Sequence, residues 1–141
     1  MREILFKAKR IDNGEWVEGC YTECNGKTFI GIDMSICSDI FEVFCTPVIR
    51  WFEVDPKTLC EFTGRCDKNG KKIWENDIVL VTENVYSAVK FGLYHEASKS
   101  ERTHQGFYLE SMDNYYYREE LGYWAKESVV VGNIFDNPEL L

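Results

Sequence analysis

The chain has 141 residues, 45% hydrophobic and 15% aromatic, with a formal charge of −8. That is apolar material for one domain or two small subdomains sharing a core, and too much for a disordered chain. The charge excludes a general phosphate-backbone binder, which needs clustered Lys and Arg.

Residues 2–10 alternate as a strand, with Ile4, Phe6 and Ala8 on one face. Asp12-Asn13-Gly14-Glu15 then supplies an Asn-Gly pair, suited to a tight type I′ turn. Such a turn sets Lys9 opposite Glu18, Phe6 opposite Tyr21 and Ile11 opposite Trp16. A second pair, Asn25-Gly26, sets Tyr21 opposite Ile30 and Thr22 opposite Phe29. Together they predict an antiparallel meander. Residues 33–46 read as a loop with a short turn, and Val48 to Val54 as a strand between Pro47 and Asp55-Pro56.

Cys60 to Thr63 reads as a short strand that Gly64 breaks. Asp67-Lys68-Asn69-Gly70 is a turn in which Asp67 accepts from the backbone ahead of it, and Asn69-Gly70 suits left-handed geometry. Ile73-Trp74 anchors the chain, Glu75-Asn76-Asp77 turns it, and Ile78 to Val81 enters a core. Short strands follow at 86–91, 106–110, 123–125 and 128–134. A polar excursion over 93–105 and a tyrosine-bearing one over 111–122 separate them, with a helical turn at 118–121. Asn137 before Pro138 predicts a capped closing turn whose leucines pack back on the fold. The fold class is mainly β: a meander with its connecting segment over 1–59, then an SH3-like small barrel over 60–141.

The chemistry-bearing residues point to no reaction. The six cysteines (Cys20, Cys24, Cys37, Cys45, Cys60, Cys66) include no Cys-x-x-Cys pair and no adjacent His, so they read as reduced thiols rather than a zinc site. Asp67, Glu75 and Asp77 lie close in sequence, but nothing in their spacing makes them converge. His95 and His104 read as exposed loop residues. No nucleophile elbow, phosphate loop or dinucleotide fingerprint is present, so no enzyme and no cofactor or metal are expected. The binding candidates are Tyr115, Tyr116 and Tyr117, as loop aromatics, and Arg65, Lys68, Lys71 and Lys72, a small basic group on the central turn.

Three pieces of the chain resemble the YopX-like proteins of phages and prophages: REILFKAKR with Trp16-Val17, the stretch Asp55 to Val79, and the end Val129 to Leu141. Asn76 stands where the family commonly has glycine, Trp74 where it has tyrosine, and Arg65-Cys66 where it has leucine-lysine. The resemblance implies a β-rich phage or prophage protein with an SH3-like barrel in its C-terminal part, and it implies no reaction. The N-terminus lacks a signal-length apolar run and no stretch reaches the roughly 20 apolar residues of a membrane helix. The expected setting is therefore the cytoplasm of a host bacterial cell. The expected role is a non-catalytic module binding a host or phage protein. A nucleic-acid-associated accessory protein is the alternative. No membrane partner is expected, and available edge strands leave room for homo-oligomers.

Overall fold

The computed structural model describes residues 3–34, 48–95, 101–110 and 118–141. The chain divides into two compact units, Met1–Glu61 and Phe62–Leu141. The reading of 33–46 as a loop lies, beyond Met34, outside the described residues.

In the first unit β1 (Phe6–Lys9), β2 (Trp16–Cys24), β3 (Lys27–Asp33) and β4 (Ile49–Val54) form an antiparallel sheet in the order β4-β3-β2-β1. A 3-10 turn over Pro56–Thr58, capped by the Asp55 carboxylate at Lys57 N (3.0 Å), leads into β5 (Cys60–Cys66). The first residues of β5, Cys60 and Glu61, pair with Lys7 and Phe6.

The second hairpin has its expected register, Tyr21 opposite Ile30 and Thr22 opposite Phe29. Asn25 (φ 52°) and Gly26 (φ 75°) are both left-handed, as a type I′ turn demands. The first hairpin corrects its expectation: Lys9 faces Trp16 rather than Glu18, and Phe6 faces Gly19 rather than Tyr21. The cause lies in Asn13, which is not left-handed; its Oδ1 instead accepts from Glu15 N (2.9 Å). Arg10 N donates to the Glu15 carbonyl (2.8 Å), leaving a wider loop. The slip is by an even number of residues, so every side chain keeps its face. Phe6 and Tyr21 still touch, as diagonal neighbours with ring centroids 5.2 Å apart.

The inner face buries Ala8, Ile30 and Val54, with Phe6, Val17, Tyr21 and Leu59 packed on them. Fully burying a side chain the size of Ile30 or Val54 contributes about 1.5–3 kcal/mol. Asp55 N donates to the Lys9 carbonyl (2.8 Å) and Ile11 N to the Glu53 carbonyl (3.1 Å), so the end of β4 returns to the end of β1.

In the second unit β5 continues from Phe62 and pairs with β6 (Lys72–Trp74). Then come β7 (Asp77–Thr82), β8 (Val85–His95), β9 (Thr103–Leu109), α1 (Leu121–Trp124) and β10 (Val129–Asn133). The order β10-β7-β8-β9 joins β7 both to its successor and to the last strand, and a 3-10 turn over Ala125–Glu127 precedes that strand. The result is a four-stranded antiparallel sheet. Its core gathers Ile73, Val79, Val81, Val89, Leu109, Leu121, Trp124, Ala125 and Val130.

Several local expectations are corrected here. Gly64 (φ 83°) does not end β5; it sits in a bulge between the Phe62–Trp74 and Cys66–Lys72 pairs. Asn69 is not left-handed, since Gly70 (φ 81°) alone carries that bend. Residues 123–125 are helical, not a strand, and the helix begins at Leu121, because Leu121, Trp124 and Ala125 repeat with helical spacing toward the core. Leu93 to His95 and Thr103 to Gln105 extend β8 and β9 rather than forming a loop; Tyr94 and His104 pair directly. At the end, Asn137 Oδ1 accepts from Asn133 N (3.3 Å) instead of capping the Pro138–Leu140 turn, and Leu141 is exposed.

Alanine at residue 25 must adopt a left-handed backbone and is expected to cost about 1 kcal/mol or more, whereas Asn13→Ala keeps an ordinary backbone and loses two exposed hydrogen bonds to Glu15, together worth about half as much. Urea denaturation of the two variants ranks them; equal losses contradict the turn assignment.

Candidate functional site

The central turn is built around Asp67, which is buried (6% exposed). Its Oδ1 accepts from Asn69 N and Lys71 N (both 2.9 Å) and its Oδ2 from Val130 N at the start of β10 (3.0 Å). Burial is the largest influence on this carboxyl and pushes its pKa up. The three amides and the nearby Lys71 charge together outweigh it and hold the pKa below the usual carboxylate range. Asp77 is likewise turned inward, accepting from Trp74 N (2.8 Å). Asn76 takes φ 69° and accepts from Lys90 Nζ (3.0 Å). The Asp67 and Asp77 carboxylates are thus directed at separate amides. Among the described residues no three His, Cys, Asp or Glu side chains gather as a metal site.

The Arg65 guanidinium lies over Gly122, where a Cβ would stand 2.8 Å from it. Lys72 lies over the Phe62 ring (5.4 Å), and Lys68 and Lys71 are exposed on the turn. Tyr115, Tyr116 and Tyr117 lie outside the described residues, as do Cys37 and Cys45. Cys60 is buried and donates to the Thr58 carbonyl (3.2 Å); Cys20, Cys24 and Cys66 are exposed thiols. His95 and His104 are exposed as expected, but on strands.

Two clefts stand out instead. The first opens in the N-terminal unit, where the chain leaves β4 after Ile11 and turns toward β2. It has a volume of about 320 Å³, with Arg10 and Asp12 on one side and Arg50 to Glu53 on the other. The bonds made by Asp55 and Glu53 fix which β4 amides face this edge, and strand alternation turns those of Trp51 and Ile49 the same way. An antiparallel bridge joins Arg10 to Val54 on this edge, and beyond it, at Ile49 and Trp51, no strand pairs among the described residues. Ile11 (59% exposed), Ile49 (49%) and Trp51 (45%) flank it. The Trp51 indole lies over Gly31, where a Cβ would meet it at 2.7 Å. The Phe52 ring has the Arg10 guanidinium 4.4 Å and the Arg50 guanidinium 4.8 Å from its centroid. Arg10 is engaged by Asp12 (2.9 Å), whose carboxyl it holds below the usual range. Among the described residues no acidic side chain pairs with Arg50.

The second cleft, of about 250 Å³, lies in the C-terminal unit between Tyr94, His104, Arg118 and Glu120. Sequence reasoning missed both. A signal existed for the first: Val48 to Val54 carries large side chains on both faces, more than one core accommodates.

A family model described as YopX protein matches residues 5–141. The chain belongs to this family. Among solved structures it resembles protein EF1440 from Enterococcus faecalis, with 20% identity, a TM-score of 0.57, and coverage of 100% of this chain and 99% of that one. That likeness is one of fold. No curated protein matches the chain. The match also spans 31–54 and 83–128, which lie between the three pieces that carry the resemblance.

In this YopX member the central motif positions backbone. Asp67→Asn replaces one acceptor oxygen by a donor and is expected to lower stability by about 2–3 kcal/mol, seen as a fall in melting temperature. A carboxyl depressed on folding stabilises the fold above its unfolded pKa, near 3.8, and that contribution disappears as pH falls through the lower folded value. Acid denaturation of wild type below about pH 4 is therefore expected to be steeper than that of Asp67→Asn. Parallel curves contradict the assignment.

Proposed function

We propose that the protein is a phage- or prophage-encoded, non-catalytic interaction module that binds an extended segment of a partner protein along the open edge of β4. The observation that carries this reading is the outward row of Ile49 and Trp51 backbone groups beside exposed Ile11 and Trp51. A strand added there gains main-chain hydrogen bonds from the edge and side-chain contacts from the flanking residues. Trp and Arg are the residue types that dominate interface energetics, and Arg50, which has no acidic partner among the described residues, offers its guanidinium to an acidic side chain of the incoming segment. The setting proposed is the host bacterial cytoplasm. Among the described residues no helix is long and apolar enough to cross a membrane.

The nucleic-acid reading rests on the turn bearing Arg65, Lys68, Lys71 and Lys72. Two of these four lie over neighbouring groups of the fold, and the chain as a whole carries −8. Titration with single- and double-stranded DNA at low salt separates the two readings, since phosphate binding weakens steeply as salt rises.

Partner capture from host and phage lysates, followed by affinity measurement, is expected to show Trp51→Ala and Arg50→Glu each weakening binding at least about tenfold. Amide exchange at Ile49 and Trp51 is expected to slow in the complex. A partner held equally by both variants, or salt-dependent DNA binding abolished by neutralising Lys68 and Lys71, overturns the proposal. Neighbouring genes of phage type are expected; their absence removes the proposed origin.

A further inference from the structure

The polar cleft of the C-terminal unit is assembled from three elements. Tyr94 on β8 and His104 on β9 are paired across the ladder, with ring centroids 5.7 Å apart. Tyr108 also stacks with Tyr94, with ring centroids 6.0 Å apart. The third element is the extended segment 118–120, which is fastened at every residue. The Arg118 carbonyl accepts from Trp124 Nε1 (2.6 Å), the Glu119 carbonyl from Leu109 N (2.8 Å), and Glu120 bridges to Tyr108. Buried Glu119 accepts from His95 N (3.1 Å). In an extended segment alternate side chains share a side. Burying Glu119 therefore leaves Arg118 and Glu120 to line the cleft together with Tyr94 and His104.

Among the described residues neither the Arg118 guanidinium nor the Glu120 carboxylate has an ion-pair partner, including each other. Arg118 is steadied from behind by the Tyr123 ring, 5.2 Å from its guanidinium. Burial, and after it the Glu120 charge, raise the Tyr94 pKa, so the phenol stays protonated and able to donate. The cleft thus presents one fixed cation, one fixed anion, a phenol and an imidazole.

The geometry points to a binding site for a small zwitterion of the free α-amino acid type. Its carboxylate meets Arg118, its ammonium meets Glu120, and its body rests on the Tyr94 and His104 rings. An anion alone faces repulsion from Glu120, and a cation alone faces repulsion from Arg118. Only a ligand carrying both charges satisfies both groups. The volume, about 250 Å³, falls below the roughly 300–1,000 Å³ of drug-sized pockets and suits a compound of this size. This site is independent of the β4 edge.

The test uses the full chain and the twenty free amino acids as probes, read by NMR at the His104 ring. At least one is expected to shift those resonances saturably. Its N-acetyl and carboxamide derivatives, each lacking one charge, are expected to bind at least about tenfold more weakly. Arg118→Ala and Glu120→Gln change exposed side chains, so both are expected to keep the melting temperature while losing the shift. If no amino acid gives a saturable shift, or the blocked derivatives bind as well as the parent, the site does not exist.

Discussion

One buried carboxylate holds the C-terminal unit together. Asp67 reaches across 63 positions of sequence to Val130 N while closing its own turn through Asn69 N and Lys71 N. Removing a charge from water is costly, and it persists here because three N–H dipoles replace the lost hydration. Aspartate is short enough to stay in the turn and has two oxygens to serve both directions. Lys68 N, donating to the Ser128 carbonyl (3.0 Å), runs alongside and fixes the same junction. The entropy lost in closing so long a loop is met by contacts concentrated at one point.

The other residues of the family motif follow the same logic. Thr63 Oγ1 donates to the Ile73 carbonyl (2.7 Å), Asp77 caps Trp74 N, and Asn76 supplies the left-handed bend before β7. The motif thus specifies how strands meet and says little about what they bind. The features that face outward, Arg50 and Trp51 on β4 and the charged pair on 118–120, lie in the stretches the motif does not cover. Members of one fold family can keep the frame and vary the surface.

What the sequence made legible divides along physical lines. Asn25-Gly26 was readable because one turn type satisfies that pair and flanking alternation leaves one register. Asn13-Gly14 was misread because Asn13 has a competing use for its side chain, bonding to Glu15 N, which no spacing rule reveals. The polar composition of 93–105 concealed a strand pairing, since edge strands with solvent on one face tolerate His, Gln and Thr. Residues 123–125 carry aromatic and small residues that suit strand or helix, and tertiary burial of Leu121 and Trp124 decided for the helix. The clefts were not legible at all. Each depends on where one chain diverges from another, and the loop-aromatic candidates Tyr115 to Tyr117 fall outside the described residues.

Gly31 looks like an incidental strand residue, yet its bare backbone is the floor against which the Trp51 indole rests, with Ile49 beside it. A methyl group there would lift the ring off the sheet and change the contour offered to solvent. The shape of this surface is therefore set from beneath, by a residue that any visiting molecule never meets. Two relatives with identical outward side chains and different residues at this one spot would be read as different surfaces.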